Sequence, residues 1–340
     1  MGVDIAGILE KRELALSELS GKTLAVDAFN TLYQFITIIR QPDGTPLMDS
    51  RGRITSHLSG LFYRTCSLLE KGIRPVFVFD GEPSELKKRT IAERSALKHE
   101  AEEARREALE RGDLEEAGML AQRTARLSSE NVVEAKRLLD LMGVPWVQAP
   151  SEGEAQCAAM AAEGIVYAAA SQDFDSLLFG APVLVRNLAL TGKRKVPRRN
   201  AFVDVLPEEF VLEDNLRRLG ISRRKLVWIG LLSGTDFNAG VYGIGAKKAL
   251  KLVQSHDSFQ EILGEIGEEM DWREVEEFFL NPPVRKVRGS ELVFREPDRE
   301  AVTAFMHGEH DFSVERVENA LKRAFKEPKS SSQSQLSGWM

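Results

Sequence analysis

The sequence predicts an α/β fold: a central, mostly parallel sheet with helices on both faces, followed by a helical lower half. Short apolar runs of strand length alternate with amphipathic helical stretches through the first part of the chain, and this alternation is typical of parallel sheets. Three of the apolar runs are each followed closely by aspartate. Because the carboxyl ends of parallel strands open on one side of a sheet, these aspartates are candidates for one shared ligand site.

The first two predicted strands, residues 22–26 and 75–79, lead directly into Asp27 and Asp80. A helix is predicted after Asp27, and a second amphipathic helix is predicted over residues 55–71. One aspartate after a strand is commonly only a helix cap. Three such positions at one edge of a sheet, with Glu152 and Glu154 nearby, are better explained as a metal cluster.

The third strand lies within a central stretch, residues 150–179, that begins P-S-E-G-E-A-Q and ends S-Q-D-F-D-S-L-L-F-G. Ser151 is predicted to cap a helix that runs through residues 155–162 and stops at Gly164. A buried strand is then predicted over residues 165–170.

Four carboxylates stand in this central stretch at paired i, i+2 spacings: Glu152, Glu154, Asp173 and Asp175. Each pair has a structural interpretation of its own, since S-E-G-E could be only a helix cap and D-F-D only a turn. Taken together with Asp27 and Asp80 they would repel one another if buried. A divalent cation removes that repulsion, and oxygen ligands suit magnesium or manganese.

Between residues 84 and 141 the chain is dense in Glu, Lys, Arg and Ala and contains no proline, which predicts two or more exposed helices inserted between sheet elements. For residues 100–122 we favour a solvated hairpin with salt-bridged faces. Lys87 and Arg94 are different, because their spacing places them on one helical stripe just after Asp80. Cations there could hold and polarise an anionic group at the carboxylate site.

The second half of the chain adds basic and glycine-rich features. A β-hairpin is predicted over residues 183–205, and its basic tip carries Lys193 and Arg194, either a solvated turn or a phosphate contact. A helix over residues 211–232 leads to Asp236. The following G-I-G-A-K-K-A-L is either a tight turn between helices or a phosphate cradle at a helix N-terminus. Residues 262–279 and 299–325 complete the helical half.

Composition sets the broad class of protein. With 340 residues, 43% of them hydrophobic and 29% charged, the chain can bury a sizeable core. A net charge of −6 argues mildly against a nucleic-acid partner, unless the acidic residues are concentrated at one site and the basic ones elsewhere. We see no apolar run of membrane-spanning length and therefore expect a cytoplasmic protein with no membrane association.

These motifs together resemble the structure-specific 5′ nucleases, and specifically archaeal-type flap endonucleases, over essentially the whole chain. The matching blocks are A-V-D-A-F-N-T-L-Y-Q-F, D-S-R-G-R-I-T-S-H-L-S-G-L-F, V-F-V-F-D-G-E-P, Q-A-P-S-E-G-E-A-Q, S-Q-D-F-D-S-L-L-F-G, G-T-D-F-N and G-I-G-A-K-K-A. The resemblance implies one nuclease domain over residues 1–326, with an inserted helical arch at 84–128 and a duplex-binding helix–turn–helix at 236–256.

The resemblance also implies roles for individual residues. Two Mg²⁺ ions, replaceable by Mn²⁺, would be held by a cluster of seven carboxylates: Asp27, Asp80, Glu152, Glu154, Asp173, Asp175 and Asp236. Lys87 and Arg94 at the base of the arch would act on the scissile phosphate. DNA contacts are implied for Gly2, Tyr33, Arg40, Gly243, Gly245, Lys247 and Lys248. A potassium ion is also expected at the helix–turn–helix.

The last residues, 327–340, are polar and serine-rich and are predicted to be a disordered tail. In this tail, Gln333, Leu336, Trp339 and Met340 resemble the peptide with which such nucleases bind the sliding clamp. Met340 stands where the family pattern has a second aromatic residue.

The function that follows is cleavage of DNA near the junction of a 5′ single-stranded flap and duplex, by two-metal phosphodiester hydrolysis. We expect a monomer that acts in Okazaki fragment processing and DNA repair and that also has 5′–3′ exonuclease activity. The alternatives are a 5′ exonuclease or junction resolvase of the same superfamily, and a non-catalytic binder of DNA junctions. A metal-dependent glycosyltransferase would use D-x-D but would leave the other carboxylates without a role.

Overall fold

The structure is a computed structural model that describes residues 2–41, 44–87, 107, 111, 127–189, 192–195 and 202–325. Most of the predicted arch, including Arg94, and the whole tail from residue 326 onward lie outside this part of the chain. Both therefore stay predictions.

Nine strands are present in the described residues: β1 (Arg12–Glu13), β2 (Thr23–Asp27), β3 (Arg74–Phe79), β4 (Trp146–Gln148), β5 (Ala168–Ala170), β6 (Val183–Arg186), β7 (Gly192–Lys195), β8 (Phe202–Val205) and β9 (Glu208–Val211). Seven of them form one sheet in the spatial order β1-β9-β6-β5-β2-β3-β4. The five central strands, from β6 to β4, run parallel, and β9 and β1 add an antiparallel edge. The predicted fold class, a mostly parallel sheet, is confirmed.

The α-helices of the described residues are α1 (Ala28–Ile38), α2 (Ser56–Glu70), α3 (Ser129–Leu141), α4 (Gly153–Ala162), α5 (Asp175–Leu178), α6 (Leu212–Leu219), α7 (Arg223–Ser233), α8 (Ala246–Ser255), α9 (Phe259–Ile266), α10 (Arg273–Leu280), α11 (Arg299–Thr303) and α12 (Val314–Ala324). Three 3₁₀ turns, Ala6–Ile8, Leu16–Leu19 and Gly289–Glu291, and a π-helical stretch, Ala304–Glu309, complete the set. No helix in these ranges is long and apolar enough to cross a bilayer.

Helices cover both faces of the sheet because the buried strands are apolar on both sides. Successive residues of a strand point to opposite faces, so Ala25 of β2 joins one core cluster while Leu24 and Val26 join the other. The first cluster packs α4 and α7 against the sheet, and the second packs α1, α2, α3 and α12. A strand buried on both faces reads as a continuous apolar run, which is why β2 and β3 were predictable.

Three predicted elements are wrong in detail. The strand predicted over residues 165–170 covers only Ala168–Ala170. The single hairpin over residues 183–205 is instead β6, which pairs with β5 and β9 in the main sheet, and a separate two-stranded sheet of β7 and β8. The continuous helix over residues 211–232 is two helices, because Gly220 adopts a left-handed conformation with φ of 65° and ends α6.

Cys66 and Cys157 are buried free thiols.

The contact between α1 and α2 depends on a glycine. A Cβ placed on Gly60 of α2 would overlap the ring of Phe35, which is buried in α1. We expect Gly60→Ala to destabilise the protein by about 1–3 kcal/mol, because overpacking outweighs the gain in helix propensity. Chemical denaturation of both proteins, analysed with one shared m-value, measures this difference in the free energy of unfolding.

Gly264 provides the matched control, since it lies inside α9 and an added Cβ would meet no atom within 4 Å. Gly264→Ala should leave stability unchanged or raise it by up to roughly 1 kcal/mol. Equal effects of the two substitutions would show that close packing of α1 on α2 is not what requires glycine at position 60.

Candidate metal centre

Two aspartates stand at the carboxyl ends of adjacent parallel strands. Asp27 is the last residue of β2 and also the N-cap of α1, where its Oδ1 accepts the Asn30 amide at 3.0 Å. Asp80 follows β3, and its Oδ1 accepts the Gly153 amide at 2.7 Å. Because β2 and β3 pair in parallel, both carboxylates lie at the same edge of the sheet.

Glu152 and Glu154 enter the same region from the first turn of α4. The glycine between them is required by the approach of Asp80, since a Cβ on Gly153 would lie 2.5 Å from Asp80 Oδ1. Glu152 occupies the N-cap position, and Glu154 Oε1 accepts the Ser176 hydroxyl at 3.2 Å. The E-G-E sequence thus places two carboxylates in this region, and the amide of its glycine donates a hydrogen bond to a third carboxylate, Asp80.

The predicted capping role of Ser151 is wrong. Helix α4 begins at Gly153 with Glu152 as its N-cap residue and no side-chain cap. The Ser151 carbonyl accepts the Gly81 amide at 2.6 Å, and its buried hydroxyl has no hydrogen-bond partner among the described residues. The first turn of α4 is therefore arranged around the aspartate at the end of β3.

The second acidic pair follows β5. Asp173 Oδ2 accepts the side-chain amide of Asn30 at 2.8 Å, and the Asp173 amide donates to Ser171 Oγ at 3.2 Å. Asp175, the first residue of α5, accepts the Val3 amide at its Oδ1 at 2.8 Å. Both members of the pair are held by donors from the N-terminal part of the chain.

The electrostatics show that the carboxylates are close together. Burial raises the pKa of Asp27 well above its usual value, and the charges of Asp80 and Asp173 raise it further. Burial and then Asp175 and Asp27 have the same effect on the pKa of Glu154. These shifts mean that several carboxylates lie close together in one buried region, where each disfavours the ionisation of its neighbours.

Asp236, predicted from the G-T-D motif, belongs to the same region. It is half-buried just after α7. Burial raises the pKa of Asp175 to about 7, and the charge of Asp236 is the next largest contribution. Burial likewise raises the pKa of Asp80 against the opposing effect of Lys87, again with a contribution from Asp236. Each of the seven predicted carboxylates thus lies near enough to another for its charge to affect that neighbour's pKa or to be affected by it.

Among the described residues, no group of three or more His, Cys, Asp or Glu has the geometry of a formed metal site. The donor set nevertheless fits a hard divalent cation. It consists of carboxylate oxygens at strand and helix ends, several of them buried with raised pKa, and an unpaired buried charge is costly. Hydrogen-bond donors and one lysine contact these carboxylates.

That lysine is Lys87. Its Nζ lies 2.5 Å from Glu152 Oε2, and its side chain keeps 21% of its exposure. Burial lowers the pKa of Lys87, but the charges of Glu152, Asp80 and Asp236 outweigh burial and the net pKa is raised. Lys87 is therefore held in its charged form beside the acidic cluster, with part of its side chain exposed. Its predicted partner Arg94 lies outside the described residues.

The residues predicted at the helix–turn–helix lie together at the junction of two packed helices. Helix α7 ends at Ser233, and after a loop Gly245 is the N-cap of α8. Gly243 has φ of 75°, which only glycine adopts without strain. Lys247 and Lys248 follow in the first turn of α8 and are both exposed. Their DNA contacts stay predictions.

The remaining predicted residues lie in several separate elements. Tyr33 is half-buried in α1. Arg40 donates to the carbonyls of Thr37 and Gly44, at 3.0 and 2.7 Å, so its guanidinium holds the loop after α1. Lys193 and Arg194 are in β7. Gly2 lies beside the second acidic pair.

Sequence reasoning missed the neutral groups that hold the acids. The Asn30 backbone amide could have been predicted as the donor to Asp27, since it stands three residues after this N-cap residue. No local signal places the Asn30 side chain against Asp173. Ser171 and Ser176 flank D-F-D in the sequence but carry no pattern of their own. The Val3 amide is a backbone group 172 residues from Asp175, and no local signal points to it.

Comparison with known proteins agrees with this geometry. The XPG N-terminal domain family matches residues 1–101, and the XPG I-region family matches residues 143–236. Flap endonuclease 1 of Pyrococcus furiosus is 54% identical over 341 residues, covering 100% of this chain and 99% of the relative. The two family matches together include every carboxylate of the cluster.

Solved structures are similar over nearly the whole chain. Flap endonuclease-1 from Methanococcus jannaschii has a TM-score of 0.75 at 40% identity, covering 95% of this chain and 98% of that one. The junction-resolving enzyme GEN1, solved with product DNA and Mg²⁺, has a TM-score of 0.59 at 21% identity, covering 94% and 76%. At that identity GEN1 shows the fold alone. The full-length identity to archaeal relatives shows that this chain belongs to the flap endonuclease family of XPG-type nucleases.

Proposed function

We propose that this chain is a divalent-metal-dependent nuclease that hydrolyses a phosphodiester bond near the junction of a 5′ flap with duplex DNA. The observation that carries the proposal is the set of seven carboxylates, which five separated parts of the chain bring to one edge of the sheet. Two Mg²⁺ ions, or Mn²⁺ in their place, are the ions that such an oxygen donor set suits.

Bound at this set, Mg²⁺ would supply Lewis-acid chemistry to the phosphate and lower the pKa of the attacking water. The chain's own residues prepare the site for the cations and for the phosphate. Asn30 and the Val3 amide fix Asp173 and Asp175. Lys87, partly exposed beside Glu152, can turn its ammonium from that carboxylate to a phosphate oxygen, where negative charge develops during cleavage.

The partners are proposed from the relatives and from the exposed cations. GEN1, whose fold is similar, was solved with product DNA, and Lys247 and Lys248 offer two exposed cations beside the N-terminus of α8. We propose that α7, α8 and the loop between them bind duplex backbone, with a K⁺ ion in that loop. We further propose a monomer that works in replication and repair in the cytoplasm.

Two other functions compete with flap cleavage. A 5′ exonuclease or junction resolvase would use the same metal centre, and the similarity to GEN1 shows only a shared fold. A non-catalytic DNA binder would retain buried acids whose pKa values are raised by burial and by one another, which destabilises the fold without serving DNA binding.

Metal-dependent cleavage of end-labelled flap, gapped and four-way DNA side by side tests the proposal. Flap DNA should be cut fastest, near its junction, and only with the metal. Preferred cleavage of four-way DNA would favour the resolvase.

A variant of Lys87 shows whether this lysine acts in the cleavage step or in DNA binding. Lys87→Ala should lower the single-turnover rate on flap DNA by about 10²-fold, because a cation is lost where phosphate charge develops. Affinity for the DNA should change far less. The exposed Lys71 at the end of α2 gives the control, and Lys71→Ala should change neither quantity. Loss of affinity alone in Lys87→Ala would make this lysine a binding residue.

The tail tests the proposed clamp contact. Removing residues 333–340 should leave metal-dependent flap cleavage unchanged without other proteins and should abolish stimulation by the sliding clamp, because Leu336 and Trp339 recur at helical spacing for insertion in a groove. Met340→Phe should tighten the contact. Calorimetry of the tail peptide with the clamp decides the matter: no binding, or binding indifferent to Trp339→Ala, contradicts this role.

A further inference from the structure

The N-terminal segment, residues 2–10, lies against the second acidic pair although it is far from it in sequence. The Val3 amide donates to Asp175 Oδ1 at 2.8 Å, with 172 residues between them. Both groups are sealed from solvent, since Val3 and Asp175 each retain 2% of their exposure. A buried backbone amide gives this carboxylate a fixed, charge-assisted hydrogen bond.

Gly2 is packed directly against the same pair. A Cβ at this position would lie 2.6 Å from Asp173 Cβ and 3.0 Å from Asp175 Oδ2. Cβ atoms do not approach other atoms at 2.6 Å in proteins, and Asp173 Cβ is attached to the backbone and cannot swing away as the end of a long side chain can. A side chain at position 2 must therefore displace Asp173.

The segment that carries these two residues is anchored further along. Ile5 and Ile8 are buried in the core cluster that contains α4 and α7. The Glu10 amide donates to Asn215 Oδ1 at 2.7 Å, and Asn215 Nδ2 donates back to the Glu10 carbonyl at 3.0 Å. Because α6 and the core hold the segment, Gly2 and Val3 keep a set position relative to the acids.

We infer that Gly2 and Val3 are positioning residues of the metal centre: the Val3 amide orients the Asp175 carboxylate, and the missing side chain of Gly2 leaves Asp173 in place. This inference rests on the proposed metal-dependent function. It differs from the DNA contact that family resemblance implies for Gly2, because it predicts an effect on metal binding in the absence of DNA. Groups that orient ligands in this way commonly change metal affinity by about 10- to 100-fold.

The test is calorimetric titration of Mn²⁺ into DNA-free wild type, Gly2→Ala and Gly2→Val. We expect Gly2→Ala to weaken Mn²⁺ binding by about tenfold and Gly2→Val to weaken it more, because larger side chains displace Asp173 further. Gly7→Ala is the matched control. It adds the same methyl group to the same segment, where the nearest atom, Lys247 Cε, is at an ordinary 3.6 Å, and it should bind Mn²⁺ like the wild type.

Melting of the metal-free proteins completes the test. Gly2→Ala should melt within a few degrees of the wild type, since a positioning residue affects the site more than the fold. Unchanged Mn²⁺ affinity in both Gly2 variants overturns the inference, and so does unfolding of Gly2→Ala, which would make the segment a structural part of the core. A wild type that binds no Mn²⁺ contradicts the proposed function itself, so the two failures are distinguishable.

Discussion

The structure is organised around the mutual repulsion of buried carboxylates at the ends of parallel strands. Asp27 and Asp80 are placed side by side by the pairing of β2 with β3, and α4 brings Glu154 close to Asp27. Burial and neighbouring charge both raise the pKa of these groups. A fold optimised for stability alone would not collect acids in this way, whereas a metal-dependent nuclease needs them there.

The surrounding groups are explained by the same constraint. Neutral donors from distant parts of the chain hold individual carboxylates: the amide of Gly153 holds Asp80, and the side chain of Asn30 holds Asp173. Glycine is present where the acids approach the backbone most closely, at Gly2 and Gly153. These contacts fix the direction of each oxygen without neutralising it, so the negative charge remains available to a cation.

The sequence alone predicted the parallel sheet and six of the seven acidic residues because both have local signals, whereas Asp236 was assigned to the cluster only by the family resemblance. Continuous apolar runs identify strands buried on both faces, and an aspartate after each run identifies the ligand edge. The contacts of Val3 and Gly2 were beyond prediction, because they depend on how the N-terminal segment packs across the whole domain. The hairpin over residues 183–205 was wrong for a similar reason, since β6 pairs with β5 and β9 and not with its near neighbours.

The most direct test of this account is the thermal unfolding of wild type and Glu154→Gln, each in chelator and in Mg²⁺, with Glu163→Gln, an exposed position at the opposite end of the same helix, as control. Removing one buried charge should raise the melting temperature in chelator and greatly reduce the stabilisation that Mg²⁺ gives the wild type. The control should behave as the wild type does. A wild type that Mg²⁺ does not stabilise, or a Glu154→Gln variant that melts lower in chelator, would contradict the claim that the acidic cluster is a strained site completed by metal.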